Sequence, residues 1–266
     1  MTNYFSSVEI FHIPQTAFSS NQPDSCTSGT LLKTDFYAED GRHIYLKLPH
    51  HEKDNSWGME SIQEIVCSNL GKALGLDILE YYPCLVDLMN NESAHFGCYS
   101  LDYRHGAEAY SAKTICTALA GKYSTSLRTL QELGFAEYAD KIMVFDFLIG
   151  NVDRHANNIE FLMQDDTLLP ATIFDNGKSL LETFAPYPKM WDKDQLTNNF
   201  LTDGHTERTF QCVSAPVCLS SLSSIHWEEI FSEVNDFISP EEKRMIIDFV
   251  SHQYTTLQER GLIIND

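Results

Sequence analysis

The chain has 266 residues, 43% of them apolar and 21% charged, which suits one bilobed domain with a sizeable core and excludes a disordered chain. Its formal net charge is −20, from 18 basic and 38 acidic residues, a surface that repels phosphate backbones and anionic lipid and argues against a nucleic-acid-binding module. Seven cysteines without a CxxC pair speak against zinc and a disulfide framework, no apolar run is long enough to span a bilayer, and Met1–Phe5 does not open a leader, so a reduced, cytoplasmic setting is expected.

In chain order, Val8–Ile13 is a short apolar run ending at Pro14, and Ser19–Gly29 is a Ser/Asn/Pro/Gly-rich loop. Thr30–Tyr37 and His43–Leu48 flank Glu39-Asp40-Gly41 as a hairpin. From Ser61 to Leu74 the apolar residues follow three-and-four spacing, so the pattern predicts a helix that Gly75 ends. Leu76–Leu88 has extended character, and a crossing to a second, mainly helical part is expected near 89–100. Helices are predicted at Ser126–Leu133 and Glu137–Ile149, the latter with a core-like run from Ile142 to Ile149 that Gly150 breaks. Ile159–Met163 and Ala171–Phe174 read as two short strands joined by a turn near Asp165-Asp166. Two helices close the chain, Trp227–Phe237 and Glu241–Arg260, the second announced by Ser239-Pro240-Glu241-Glu242.

The chemistry-bearing stretch is Gly150-Asn151-Val152-Asp153-Arg154-His155-Ala156-Asn157-Asn158. A buried helix delivers the chain into a polar loop carrying Asp153 and, five positions on, Asn158. A hairpin then leads to Phe174-Asp175-Asn176-Gly177. Phosphoryl transfer to an alcohol needs a carboxylate near the incoming hydroxyl and hard oxygen ligands for Mg²⁺. In this arrangement Asp153 orients or deprotonates the acceptor, Asn158 and Asp175 hold the metal, and Gly177 lets the backbone turn sharply. An Asp and an Asn five apart also occur by chance, and a polar loop after a helix is usually just solvated. The order of parts sets this one apart.

Two upstream groups complete the pattern. Lys47 lies in the strand Ile44–Pro49, on one face with Tyr45 and Pro49, where it suits the α- and β-phosphates of ATP. A helix glutamate should hold that lysine. Glu64 is preferred to Glu60 because it lies further inside the helix, although a solvated acid is the ordinary outcome on so mixed a face. Ser25-Cys26-Thr27-Ser28-Gly29-Thr30, with Ser28 and Gly29, is the candidate phosphate loop; its N–H groups and hydroxyls would cradle phosphate oxygens, without a GxGxxG pattern.

Phe145–Asn158 resembles the catalytic segment of HipA-like kinases, bacterial serine/threonine kinases of which several act as toxins in toxin–antitoxin systems. The Asp-Arg-His order also occurs in phosphatidylinositol kinases and secretory-pathway kinases. Ile173–Gly177 is similar to the metal-binding segment of the same broad group, and Glu64–Leu76 to the glutamate-bearing helix. The resemblance implies an α+β, bilobed protein-kinase-like fold, with a β-rich, ATP-binding N-lobe at 1–95 and a mainly helical, catalytic C-lobe at 96–266. It implies ATP and Mg²⁺ as cofactors, Asp153 as the catalytic Asp, Asn158 and Asp175 as metal ligands, Lys47 with its partner Glu64 at the nucleotide, and Arg154 and His155 shaping the loop. Implied partners are a protein substrate and an antitoxin or regulatory protein, with no direct nucleic acid; Ser25 and Ser28 are candidate autophosphorylation sites. Being much shorter than the larger HipA toxins, the chain is not expected to carry their extra N-terminal subdomain. Three rivals stand beside a protein kinase. One is a kinase for lipid or small-molecule hydroxyls. The second is a nucleotide-binding pseudokinase, disfavoured by Lys47, Asp153, Asn158 and Asp175 together. The third is a metal-dependent hydrolase using His155, Asp153 and Asp175, disfavoured by the lack of a second His at ligand spacing.

Overall fold

The structure, a computed structural model, describes residues 8–18, 32–50, 58–89, 94–119, 126–180 and 210–265. The candidate phosphate loop at 25–30, including Ser28 and Gly29, lies outside the described residues.

The first part is a five-stranded sheet of β1 (Glu9–Ile13), β2 (Leu32–Tyr37), β3 (His43–Leu48), β4 (Tyr82–Leu88) and β5 (His95–Leu101), in the order β1-β4-β5-β3-β2. β1 runs parallel to β4 and the other pairs are antiparallel. β3 shows why the sheet has two different faces. Ile44, Leu46 and Leu48 are fully buried on one side, in a small core with Phe11, Val86 and Tyr99, while His43, Tyr45 and Lys47 point to the other. β5 pairs with both β3 and β4, so residues 95–101 form the middle of the sheet and the passage expected near 89–100 comes after Leu101.

One helix, α1 (Glu60–Ala73), separates β3 from β4 and packs against β5. Its neighbours in the larger core come from the second part: α2 (Ala112–Ala118), α3 (Ser126–Glu132), α4 (Ala136–Ile149), α5 (Trp227–Ile230) and α6 (Pro240–Glu259). β6 (Glu108–Ser111), β7 (Glu160–Gln164) and β8 (Thr167–Pro170) form a three-stranded antiparallel sheet beside α4, and β9 (Val217–Leu219) pairs with β10 (Ile263–Asn265). α6 opens on a capping box, Ser239 Oγ accepting from Glu242 N while the Glu242 carboxylate accepts from Ser239 N.

Two expected elements come out differently. Asp165 and Asp166 have φ of 48° and 60°, the two positive values of a two-residue hairpin turn, so the partner strand starts at Thr167. Ala171–Phe174 is therefore not that strand; it is extended chain with a single bridge between Ile173 and Ile78. The helix expected over Trp227–Phe237 stops at Ile230 and gives way to a 3-10 turn, Ser232–Val234. Asn69 of α1 donates to the Ile230 carbonyl at 3.2 Å, taking the acceptor that a continuing helix needs, and Val234 N turns to Phe231 O instead.

Candidate active site

α4 brings the chain to the site as a buried rod. Gly150 ends it in the left-handed conformation (φ 66°), its N–H capping the helix at the Phe147 carbonyl. The loop that follows is fixed by its own polar groups. Asn151 Nδ2 donates to Asp146 Oδ1 at 3.1 Å, and Asn151 Oδ1 accepts from Asp153 N at 2.9 Å. The Asp153 carbonyl accepts from His155 N at 2.8 Å and from Asn158 Nδ2 at 3.3 Å. Asp153 is thus held by its backbone while its carboxylate is exposed.

Arg154 is the anchor beneath. It is fully buried, and all its N–H groups meet acceptors. Nε and Nη2 donate to the Asp146 carboxylate at 3.0 to 3.1 Å, Nη1 to the carbonyls of Asn158 (3.1 Å) and Phe174 (2.5 Å), and Nη2 to Asn176 Oδ1 (2.5 Å). One planar guanidinium therefore binds both the loop that ends at Asn158 and the segment that carries Asp175. Burial works against its charge, but the Asp146 carboxylate outweighs that and holds Arg154 above its ordinary value.

The second centre lies between the sheet and this floor. Lys47 Nζ donates to Glu64 Oε1 at 2.5 Å, to Asp175 Oδ1 at 2.7 Å and to the Tyr81 hydroxyl at 3.0 Å. Lys33, opposite Lys47 in the β2–β3 register, reaches Asp175 Oδ2 at 3.5 Å. Glu64 is 1% exposed, and its other oxygen accepts from Asn176 N at 2.7 Å. Burial pushes Lys47 down, but Asp175 and Glu64 outweigh it and hold the ammonium well above its usual value. Burial likewise pushes Asp175 up, and Lys47 and Lys33 together pull it well below the carboxylate range. Glu64 goes the other way: burial, with Asp175 nearby, raises it despite Lys47. Two carboxylates sharing one ammonium are driven apart in this manner.

Of the residues singled out from sequence, Lys47, Glu64 and Asp175 are in direct contact. Asn158 is joined to the Asp175 segment through Arg154 and to Asp153 through its own side chain. Glu60 does not meet Lys47; it pairs with Lys178 at 3.0 Å and accepts from His50 N. Gly177 does not make the turn. The left-handed residue is Asp175 itself (φ 59°), and Gly177 serves a close approach, since a Cβ there would lie 3.3 Å from the Glu60 carbonyl and the Glu64 side chain.

Sequence reasoning missed Lys33, Tyr81, Asp146 and Asn176. A hairpin centred on Asp40 does place residue 33 opposite 47, and a lone Asp in the run Ile142–Ile149 signals a buried ion pair. Tyr81 leaves no such trace. Asn158 Oδ1 is buried with no hydrogen-bond partner among the described residues. An orphaned amide oxygen on the loop that Arg154 ties to the Asp175 segment fits a hard divalent cation such as Mg²⁺. Among the described residues no three His, Cys, Asp or Glu side chains gather to hold a metal, so Asn158 and Asp175 would share it with oxygens of a phosphate ligand.

A strand-rich part, one buried glutamate-bearing helix and a mainly helical part around a lysine–carboxylate centre make this a mixed α+β, bilobed kinase-like fold. The solved structure of a Helicobacter pylori proinflammatory kinase, CtkA, shares it with a TM-score of 0.58 over 91% of this chain and 94% of that one, at 16% identity. The Shewanella oneidensis MR-1 HipA, in a toxin–antitoxin complex with HipB and operator DNA, aligns over 94% of this chain and 67% of that chain with a TM-score of 0.40 and 14% identity. At such identities the likeness is one of fold. No family model and no curated protein matches the chain.

Proposed function

We propose that this protein is an ATP- and Mg²⁺-dependent phosphotransferase, a serine/threonine protein kinase of the HipA-like kind. The observation that carries the reading is the pair of linked centres: Lys47 shared between Glu64 and Asp175, and Arg154 tying the Asp175 segment to the loop of Asp153 and Asn158. Lys47 and Lys33 offer two cations on the sheet's inner face for the phosphates of a nucleotide. Asn158 and Asp175 would hold Mg²⁺, which when bound neutralises charge on those phosphates. Asp153, exposed beyond them, accepts the proton of an incoming serine or threonine hydroxyl as its oxygen bonds to the γ-phosphorus and the bond to the ADP oxygen breaks. On the resemblance alone, a restraining antitoxin-like partner and a cytoplasmic setting belong to the same reading. Among the described residues no helix is long and apolar enough to cross a membrane.

The test is incubation with γ-labelled ATP and Mg²⁺, with and without cell lysate, followed by phosphosite mapping. The wild-type chain should transfer label. Asp153→Ala and Asp175→Ala should each abolish transfer with the fold retained by circular dichroism, and ATP binding should survive the first better than the second. Normal transfer by both variants refutes the assignment.

A further inference from the structure

Where the starts of β1 and β4 meet α5 and the Ser232–Val234 turn, the structure holds a concavity of about 1170 Å³. This exceeds the roughly 300–1,000 Å³ of ordinary small-molecule pockets and suits a peptide segment. Its floor is Tyr82 and Tyr99, facing partners in the β4–β5 register whose rings lie 5.3 Å apart. Its wall comes from α5, the Ser232–Val234 turn and α6, with Trp227, Phe231 and Phe237 lining it. The wall is joined to the sheet by Phe237 packing on Phe96 of β5, their ring centroids 4.0 Å apart and the rings tilted by 31°.

Its rim is one-sided in charge. Glu228, Glu233 and Asp236 line it, all exposed, and none has an ion pair among the described residues. Glu9 also lines it, but its carboxylate is already met by Arg42 at 3.0 Å and the Tyr99 hydroxyl at 2.8 Å. Lys243 is the single cation in the lining, and it is drawn back to the Asn235 side chain. An aromatic floor under an acidic rim matches a segment that carries both apolar and cationic side chains, because aromatic rings bind arginine by stacking as well as by charge. It repels nucleic acid, and it repels a second copy of a chain with a net charge of −20. We infer that this groove docks an arginine- or lysine-rich, partly apolar peptide segment of a protein partner, at a distance from the candidate active site. The inference holds whether or not the chain transfers phosphate.

The probe is a fluorescein-labelled synthetic peptide of three Arg-Arg-Leu repeats, with a Glu-Glu-Leu counterpart, read by anisotropy on the whole chain at ~0.15 M salt. Two variants with the same change in net charge separate the groove from the acidic surface at large. Glu228→Lys/Asp236→Lys lies on the rim, and Glu108→Lys/Glu137→Lys lies on β6 and α4, outside it. The basic peptide should bind and the acidic one should not. The rim pair should weaken binding by about tenfold or more and the distant pair by less than about twofold. Absence of binding, or equal weakening by both pairs, overturns the proposal. So does a concentration-dependent dimer in sedimentation that the rim pair abolishes, since the occupant is then a second copy.

Discussion

Two buried ionic centres lie within a few residues of each other in this fold, and they are built on opposite principles. Around Arg154 every donor has a fixed acceptor, two of them main-chain carbonyls, and neither Arg154 nor Asp146 is open to solvent (0% and 4% side-chain exposure). Around Lys47 one ammonium is divided between two carboxylates and a hydroxyl, a second lysine waits at 3.5 Å, and the groups keep 12–13% exposure at Lys47 and Asp175. The first is a closed joint whose partners cannot be exchanged. The second is a set of exchangeable contacts, where a phosphate or a cation can replace a side chain without leaving a charge stranded. A satisfied network confers geometry; an over-supplied one leaves room for a ligand.

The sharpest way to break this contrast is Asp146→Ala. It strands a guanidinium in the core and should cost about 3–5 kcal/mol in urea unfolding, a large part of the stability of an ordinary domain. Lys47→Met should behave differently: Glu64 and Asp175 can take up a proton or, for Asp175, turn to Lys33, so the loss should stay under about 2 kcal/mol while phosphate transfer collapses. Equal destabilisation by the two substitutions would merge the centres into one structural network. A subtler test is pH. The folded-state value of Asp175 is depressed, so its contribution is complete above the unfolded value of about 3.9 and fades as pH falls through the lower folded value. The stability gap between wild type and Asp175→Asn should therefore be constant from neutral pH down to about 4 and narrow below it. A gap that widens on acidification would reverse the assigned sign. The smallest effect should come from Ser239→Ala, which removes the α6 cap away from both centres, costs about 1 kcal/mol and leaves transfer unchanged.

Much of this was readable in one dimension. The strand His43–Leu48 with Lys47 on the face opposite Ile44, Leu46 and Leu48, the helix around Glu64, the break at Gly150 and the cap at Ser239 are local events, set by period-two and three-four patterning and by the chemistry of Gly, Ser and Pro. What escaped depends on partners far along the chain. Lys47 and Asp175 are 128 positions apart, and Tyr81 enters their contact from a third segment. The stop at Ile230 is decided by Asn69, and a tight Asp165-Asp166 turn displaced the strand expected at Ala171–Phe174. Arg154 was expected to shape its loop, but its reach to Phe174 and Asn176 came only with three dimensions.

Glu64 spends its two oxygens on different neighbours: one on the Lys47 ammonium, the other on the main-chain N–H of Asn176. Helix position and the placement of Asp175 are consequently a single mechanical variable. A regulator that slid α1 along the sheet would drag the adjoining aspartate with it, so disengaging the lysine and misplacing the proposed metal ligand would happen in one stroke.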